Sequence, residues 1–281
     1  MLTNLWRAMD PTAPIITLII VVVTSVVSVK AFSDFRLKDQ LIFSPYAILA
    51  RQEYYRLFTS ALLHADGRHL FFNMLSLFLF GRDLEPMIGP GHFLIIYVAA
   101  IVGGDLLSLW LHRNHEYLAL GASGGVCGII FASIFIMPGG SITMMPLPIS
   151  IPSWLYAILF LVAEFRGLRS PESKIGHDAH IGGAIIGLLV TTAFFPYIVS
   201  SEPWLYALVM GLSLLMFVYL WKNPLHLPLK HFFNAGARRP AKKPPAKATP
   251  AEVDAILEKI SVRGLQSLTE KERRILQEAS K

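Results

Sequence analysis

The sequence predicts an all-α polytopic membrane protein: a six-helix bundle, a seventh C-terminal span and a small helical tail. The first observation behind this prediction is composition, because 54% of the 281 residues are hydrophobic and only 16% are charged. The mean hydropathy of +0.53 is too high for an ordinary soluble domain. The second is that the apolar residues fall in long runs. The third is an abrupt change to a basic, polar composition after Lys222.

Seven apolar runs are candidates for membrane-spanning helices. The first six are residues 12–29, 69–84, 93–111, 121–137, 149–165 and 179–199. The seventh, 204–221, has a tryptophan at each end, where indole rings anchor a helix in the membrane interface. The first run lacks a strongly basic leader and a small-residue cleavage site, so we expect it to remain as a span. The fifth is short and is preceded by Pro146, Pro148 and Pro152.

The C-terminal part differs in composition from the predicted membrane domain, residues 1–223. Residues 224–250 are basic and rich in proline and alanine, which predicts a linker that either contacts anionic lipid or is solvated. Residues 251–281 are polar with a helical period, and Gly264 separates two segments within them. Thr269 and Glu272 form a capping-box pattern before the second segment. We expect a small helical hairpin that docks on an unidentified partner or is partly ordered.

Composition also limits the partners and the covalent chemistry. The single cysteine, Cys127, excludes a disulfide within the chain. The net charge of +6 comes largely from the tail, and we expect membrane lipid, not nucleic acid, as its environment.

Three polar side chains stand at the openings of the second, fourth and sixth predicted spans: His69, Ser123 and His180. Successive spans alternate in direction, so these three enter the membrane from the same side. The side chains therefore lie at a similar depth. Asn73 follows His69 by four residues and shares its helix face. A polar face in a bilayer is costly unless it meets a partner or a water-filled cavity.

Small residues predict which of these spans touch. They recur every four positions on the fourth and sixth spans, at Gly124, Gly128, Ala132, Gly183 and Gly187. Such stripes allow close backbone approach between membrane helices. If the two stripes face each other, Ser123 and His180 come together.

These residue types at these positions predict a serine hydrolase built inside a bilayer. Ser123 is a poor nucleophile until a base takes its proton, and the imidazole of His180 is the usual base near neutral pH. Attack on an amide carbon creates an oxyanion. Backbone N–H groups at the helix opening and the side chains of His69 and Asn73 are candidate donors to it. Each residue alone has an ordinary structural explanation, and their combination at one depth favours catalysis.

The motifs at the starts of these spans resemble those of the rhomboid family of intramembrane serine proteases, and the resemblance covers residues 54–187. Any one of the matching motifs is a weak indication, and their common order along the chain makes the match strong. The motifs are Gly121-Ala122-Ser123-Gly124, Ala179-His180 with Gly183 and Gly187, the His64, His69 and Asn73 pattern, the Tyr55-Arg56 pair, and Glu85 with Gly89.

The resemblance implies a Ser123–His180 dyad without an acid third member. It implies an oxyanion hole of His69, Asn73 and the Ser123 backbone, and a first loop, residues 30–68, that lies partly in the outer leaflet. Substrates would be single-span membrane proteins, cut in or next to the membrane at small residues in easily unwound segments. No metal or cofactor is expected. Eight residues are expected to support the site: Gly121, Gly124, His64, Cys127, Gly183, Gly187, Arg56 and Glu85.

Two features depart from the family pattern. Cys127 lies one turn after the serine, where many relatives carry an aromatic residue that packs under the histidine, and a thiol supports the dyad with less surface. The extra run at 204–221 would leave the basic tail outside, in the orientation that the family implies for a bacterial inner membrane. The positive-inside rule favours the reverse. The conflict over the tail disappears if this run does not span.

Three other functions fit parts of the sequence. A non-catalytic rhomboid-like protein that binds and escorts membrane substrates would lack the serine or the histidine, and both are present. A metalloprotease motif begins at His115-Glu116, but Ala119 stands where its second histidine belongs. A transporter or channel would need polar residues along a pathway, and no repeat of discontinuous helices is evident.

Polar residues of the fifth and sixth spans also bear on these alternatives. His177 and His180 could share a metal, with Asp178 as the only nearby carboxylate, and Asp178 points elsewhere on a helix. Glu164, near the end of the fifth span, is expected to face interfacial water or to pair with Arg166.

Overall fold

The computed structural model describes residues 13–114, 116–144, 149–170, 173 and 175–222, and of the C-terminal segment residues 256, 258–259, 269 and 272. The chain divides into two compact units, Met1–Leu225 and His226–Lys281. The predicted linker and most of the predicted hairpin lie outside the described residues.

The described part of the first unit is a helical bundle with one small β-hairpin, which confirms the predicted fold class. Its strands are β1 (Ser141–Met144) and β2 (Ile149–Pro152), and a 3-10 turn covers Ser60–Leu62. The helices are α1 (Ile15–Ser33), α2 (Phe35–Leu41), α3 (Pro45–Ala50), α4 (Arg56–Thr59), α5 (Gly67–Ile88), α6 (Pro90–His112), α7 (Ser123–Ile136), α8 (Ser153–Leu168), α9 (His177–Phe194), α10 (Tyr197–Ser201) and α11 (Pro203–Lys222).

Each predicted apolar run overlaps one main helix, in order α1, α5, α6, α7, α8, α9 and α11. Among the described helices, α1, α6 and α11 are long and apolar enough to cross a membrane by length and composition alone. The predicted seventh span, α11, is one of these three. By contrast, α7 has only 14 residues. The three polar residues His69, Ser123 and His180 lie near the starts of α5, α7 and α9.

The predicted start of the fifth span at residue 149 is wrong, because Ile149–Pro152 forms β2. This strand pairs antiparallel with β1, Ser141 opposite Pro152, and the hydroxyl oxygens of Thr143 and Ser150 lie 2.8 Å apart across the pair. Proline disrupts a helix interior, so α8 begins only after Pro152. Pro146 and Pro148 lie outside the described residues.

The sixth span also ends earlier than predicted. Helix α9 stops at Phe194, and Pro196 precedes the separate short helix α10. A proline at this point cannot supply the N–H that would continue α9.

Helix α7 lies at the centre of the bundle and carries Ser123 at its opening. Every residue from Gly124 to Ile136 is buried, as expected of a helix that is apolar all round. It packs against α6 and α9, which also pack against each other.

The outermost helices expose apolar side chains, as a protein surrounded by lipid requires. Val22 and Val26 of α1 are 60% and 63% exposed, and Leu214 and Leu215 of α11 are 62% and 67% exposed. These surfaces would be unfavourable in water. With the three apolar helices, they identify an integral membrane protein.

Helix α11 packs along α8 and ends on the same side of the bundle as α8 and α6. The rings of Phe165 and Tyr219 meet edge to face with centroids 5.2 Å apart, and those of Trp110 and Trp221 stack at 5.8 Å. Because α6 and α8 end on the side where α7 and α9 begin, α11 carries the chain back to the side of Ser123.

The second unit contains the predicted capping box. The backbone N–H of Thr269 donates to Oε2 of Glu272 at 2.7 Å, and the N–H of Glu272 donates to Oγ1 of Thr269 at 3.4 Å. Nζ of Lys259 lies 2.8 Å from Oε1 of Glu272. The Lys259 ammonium, followed by the backbone and hydroxyl of Thr269, lowers the pKa of Glu272 to about 2. This ion pair joins the two predicted helical segments.

Candidate active site

The first turns of α7 and α9 bring the predicted nucleophile and base together. Ser123 is the first residue of α7, and His180 lies in the first turn of α9. The Oγ atom of Ser123 is 2.7 Å from Nε2 of His180. At this hydrogen-bond distance a hydroxyl proton can pass to a neutral imidazole.

The close packing of α7 on α9 depends on the predicted glycine stripes, which face each other. A Cβ atom on Gly183 would overlap the backbone of Gly124, and a Cβ atom on Gly187 would overlap the backbone of Gly128. The absence of side chains therefore allows the two helices to approach until Ser123 and His180 touch.

Gly121 lets the ring of His69, at the start of α5, lie beside the turn that precedes Ser123. Its φ of +134° is rare for residues with a side chain, and its N–H donates to the carbonyl of Ser60 at 3.1 Å. A Cβ atom here would lie 3.1 Å from Nε2 of His69 and 3.6 Å from Oγ of Ser123. The His69 ring therefore lies beside the turn that leads into Ser123.

His69 and Asn73 lie on one face of α5, with His69 oriented as a hydrogen-bond donor. Asp66 caps the helix by accepting from the N–H of His69 at 2.8 Å. The Ala65 N–H donates to Nδ1 of His69 at 3.4 Å, so a neutral ring carries its proton on Nε2, toward Gly121. Nδ2 of the buried Asn73 donates to the carbonyl of His69 at 3.0 Å, and an amide nitrogen has a second N–H.

Glu164 of α8 also belongs to this site, and its predicted environment is wrong. Its Oε2 atom lies 3.1 Å from Nδ1 of His180 and 2.6 Å from Nδ1 of His177. It therefore does not simply face interfacial water or pair with Arg166. A carboxylate inside an apolar run needs a partner, and this requirement was the available indication in the sequence.

A family model of the Rhomboid domain matches residues 51–197, slightly more than half of the chain. The chain belongs to the rhomboid family. The matched region includes Ser123, His180, His69 and Asn73, while a second model, described as a family of unknown function, matches residues 247–281.

Three relatives show the extent of the similarity. Rhomboid protease AarA of Providencia stuartii is 28% identical over 194 residues, which cover 63% of this chain and 69% of AarA. Rhomboid protein 1, mitochondrial, of Saccharomyces cerevisiae is 28% identical, covering 46% of this chain and 39% of that protein. Rhomboid protease GluP of Bacillus subtilis is 30% identical, covering 52% of this chain and 27% of GluP. This rhomboid thus spans less than half of two of these relatives, and its bacterial inner-membrane location stays a prediction.

His64, an expected supporting residue, holds the loop before Ser123. Its Nδ1 lies 2.9 Å from Oγ of Ser28, and its Nε2 accepts from the N–H of Ala122 at 3.4 Å. Burial, with a smaller contribution from neighbouring His69, lowers the pKa of His64 to about 3. The ring is therefore neutral near pH 7, as a nitrogen that accepts a hydrogen bond must be.

Arg56 stabilises the first loop of the rhomboid domain and lies away from the dyad. The guanidinium is buried and donates to the carbonyls of Asp39 at 2.6 Å and Ile42 at 2.8 Å. It also pairs with Glu53. These contacts tie α4 to the end of α2, as expected of an arginine that braces a folded loop.

Glu85 supports the fold at the opposite side of the membrane. Its carboxylate accepts from the backbone N–H groups of Ile16 and Thr17, each at 2.8 Å. These are N–H groups of the first turn of α1, which have no intrahelical partner. Glu85 therefore fastens α1 to α5 and takes no part in the site.

Cys127 is buried one turn below Ser123, within the core that α7 shares with its neighbours. It fills the position at which many relatives are expected to carry an aromatic side chain.

The structure bears differently on the two metal sites considered from the sequence, the His115-Glu116 motif and the His177–His180 pair. His115 lies outside the described residues, and the Ala119 backbone pairs with Phe43 in an isolated bridge. Among the described residues, Glu164, His177 and His180 place possible ligand atoms within 4.8 Å of one another. The carboxylate of this group is Glu164, so the expectation that Asp178 is the only nearby carboxylate is wrong.

A second buried polar cluster behind α9 was not predicted. Oδ2 of Asp178 lies 3.1 Å from Nε2 of His112, and the hydroxyl of Tyr117 donates to Oδ1 at 3.3 Å. The rings of His112 and Tyr117 stack at 3.7 Å. Asp178 indeed points away from the dyad, and it fastens the opening of α9 to the end of α6.

Proposed function

We propose that this protein is an intramembrane serine endopeptidase that cleaves single-span membrane proteins in or next to the bilayer. Ser123 is the nucleophile and His180 the general base. The observation that carries the proposal is the 2.7 Å contact between Ser123 Oγ and His180 Nε2. Membership of the rhomboid family supports it, as do the two bacterial relatives named rhomboid proteases.

In the first step, Oγ of Ser123 attacks the carbonyl carbon of the scissile peptide bond while Nε2 of His180 takes the hydroxyl proton. The resulting imidazolium then gives this proton to the leaving amine. The acyl group on Ser123 is released by water, which His180 deprotonates in the same manner. His180 thus acts once as base and once as acid in each half of the reaction.

The negative oxygen of each tetrahedral intermediate requires donors that are in place before the reaction. The backbone N–H of Ser123 opens α7, where helix N–H groups have no intrahelical acceptor. His69 directs Nε2 toward the same turn, and the Asn73 amide lies one turn further along α5. Removing one such donor from an enzyme costs about 10²–10³ in rate.

The position of the site supports a membrane-embedded substrate. Ser123 and His180 are half-buried at the openings of α7 and α9, inside a bundle whose outer helices expose apolar side chains. A substrate helix in lipid keeps its peptide groups hydrogen-bonded, so cleavage requires local unwinding. Small, helix-weakening residues lower the cost of that unwinding, which favours the predicted cleavage sites.

The test compares wild type, Ser123→Ala, His180→Ala and the double variant, purified in one detergent and incubated with a fluorescent single-span substrate. Only wild type should produce fragments on a gel. The single variants should be as inactive as the double variant, because the two residues act as a unit. Considerable cleavage by either single variant would disprove the mechanism.

A fluorophosphonate probe extends this test if the chosen substrate is not cut. Labelling of wild type but not of Ser123→Ala would show an activated serine and direct attention to the substrate. Absence of labelling in folded wild type would favour the non-catalytic escort function.

A further inference from the structure

We propose that Glu164 is a positioning residue, which holds the imidazole of His180 through Nδ1 and completes a Ser123–His180–Glu164 triad. The inference rests on the proposed hydrolase function. It adds an acid to the dyad that the family resemblance implied.

The first support is the position of Glu164 relative to the two ring nitrogens of His180. Nε2 faces Ser123 Oγ at 2.7 Å, and Nδ1 faces Glu164 Oε2 at 3.1 Å. An ionised carboxylate only accepts hydrogen bonds, so the proton of the neutral ring must lie on Nδ1. This tautomer leaves the lone pair of Nε2 directed at the serine, as a general base requires.

The second support is that Glu164 is itself held in place. The same Oε2 atom lies 2.6 Å from Nδ1 of His177, and Nε2 of His177 lies 2.7 Å from Oγ of Ser173. With the serine hydroxyl donating to Nε2, the His177 ring carries its proton on Nδ1 and donates it to the carboxylate. A continuous chain of hydrogen bonds therefore runs from Ser173 to Ser123.

The third support is desolvation. The side chains of Glu164 and His180 are each 15% exposed, and that of His177 is 12% exposed. A carboxylate in this environment is stable only with partners, and the two histidines supply them. Helices α8 and α9 thus present these groups to each other across their packing contact.

The chemical consequence is confined to proton positions. When Nε2 takes the Ser123 proton, the ring becomes an imidazolium beside the Glu164 carboxylate. The proton on Nδ1 stays on Nδ1, and the proton on Nε2 passes to the leaving amine. Glu164 therefore stabilises the charged intermediate and orients the ring without gaining a proton.

The test replaces Glu164 by glutamine, which preserves its size and removes its charge. Measured on a single-span substrate in detergent, Glu164→Gln should lower kcat at least about 100-fold, short of the roughly 10⁴-fold loss that an amide causes in a fully buried triad. The KM should change little, and the midpoint of thermal unfolding, measured on the same samples, ensures that kcat is compared on folded protein. The rate of fluorophosphonate labelling of Ser123 should fall in parallel, because the probe reports the activated nucleophile.

Two further variants complete the experiment. Glu116→Gln removes an exposed carboxylate from the loop before α7 and should match wild type. Glu164→Asp retains the charge and should recover part of the lost kcat. Wild-type kcat in Glu164→Gln, or a loss that the aspartate does not recover while the protein stays folded, would overturn the positioning role.

Should Glu164→Gln fail to fold, His177→Gln tests the same chain of contacts from its other end. This change weakens the hold on Glu164 but leaves its contact with His180, so a smaller fall in kcat at unchanged KM is expected. No fall would overturn the proposal. Wild type that is folded, cuts no substrate and is not labelled by fluorophosphonate would instead refute the proposed function, so the two failures are distinguishable.

Discussion

The backbone of Gly183 lies so close to the backbone of Gly124 that no side chain fits between them. Helices α7 and α9 meet at this point, where Gly124 directly follows Ser123 and Gly183 lies about one turn after His180. The distance between Ser123 and His180 is therefore set by a glycine contact.

Substitution at this contact should separate the two catalytic groups. We expect Gly183→Ala to lower the free energy of unfolding by about 1–3 kcal/mol, as overpacking does, and to reduce cleavage strongly. Thermal unfolding in detergent and substrate cleavage measure the two effects. Gly211→Ala is the matched control, because a Cβ atom there meets nothing within 4 Å. Equal behaviour of the two variants would contradict the role of the stripe.

Asn73 should contribute to the transition state more than to substrate binding. We expect Asn73→Ala to lower kcat by about 10²–10³ with little change in KM, because its amide is a candidate donor to the oxyanion. Asn114→Ala changes an exposed asparagine in the loop after α6 and should be neutral. A rise in KM at unchanged kcat would assign Asn73 to substrate binding instead.

Asp178 should matter for stability and not for chemistry. Its carboxylate contacts His112 and Tyr117 in a buried cluster, and hydrogen bonds to charged groups contribute about 1.5–3 kcal/mol each. We expect Asp178→Asn to lower the unfolding midpoint while kcat stays within a few-fold of wild type below that midpoint. Asp83→Asn, at a side chain that is 57% exposed, is the control. A loss of kcat as large as that of Glu164→Gln would show that the cluster acts on the dyad.

His64 should make stability depend on pH. Burial, assisted by His69, lowers the pKa of His64 from 6.5 to about 3, so the unfolded chain binds this proton more readily than the folded protein. The contribution of His64 to stability is thus fully present above pH 6.5 and is lost as the pH falls from 6.5 toward 3. Unfolding midpoints across this window should fall less steeply in His64→Gln than in wild type. Identical slopes would show that other groups govern the acid limit.

The sequence predicts the helices and the dyad because both depend on local spacing. Apolar runs identify the spans, alternation of direction places His69, Ser123 and His180 on one side, and the four-residue glycine period marks the contact face. The structure differs at the fifth span, where β2 replaces the predicted first turn. A short apolar run beside prolines does not distinguish a buried strand from a helix by periodicity.

The sequence by itself determined the fold class, the common depth of the polar residues at the helix starts and the glycine stripes that include Gly124 and Gly183. These follow from the period of a helix and from the thickness of a bilayer. Only the tertiary structure decided that Glu164 meets His180 and that Asp178 meets His112. Both pairs join different helices, and the rotation of each helix about its own axis is set by side-chain packing across the whole bundle, which spacing along one chain does not encode.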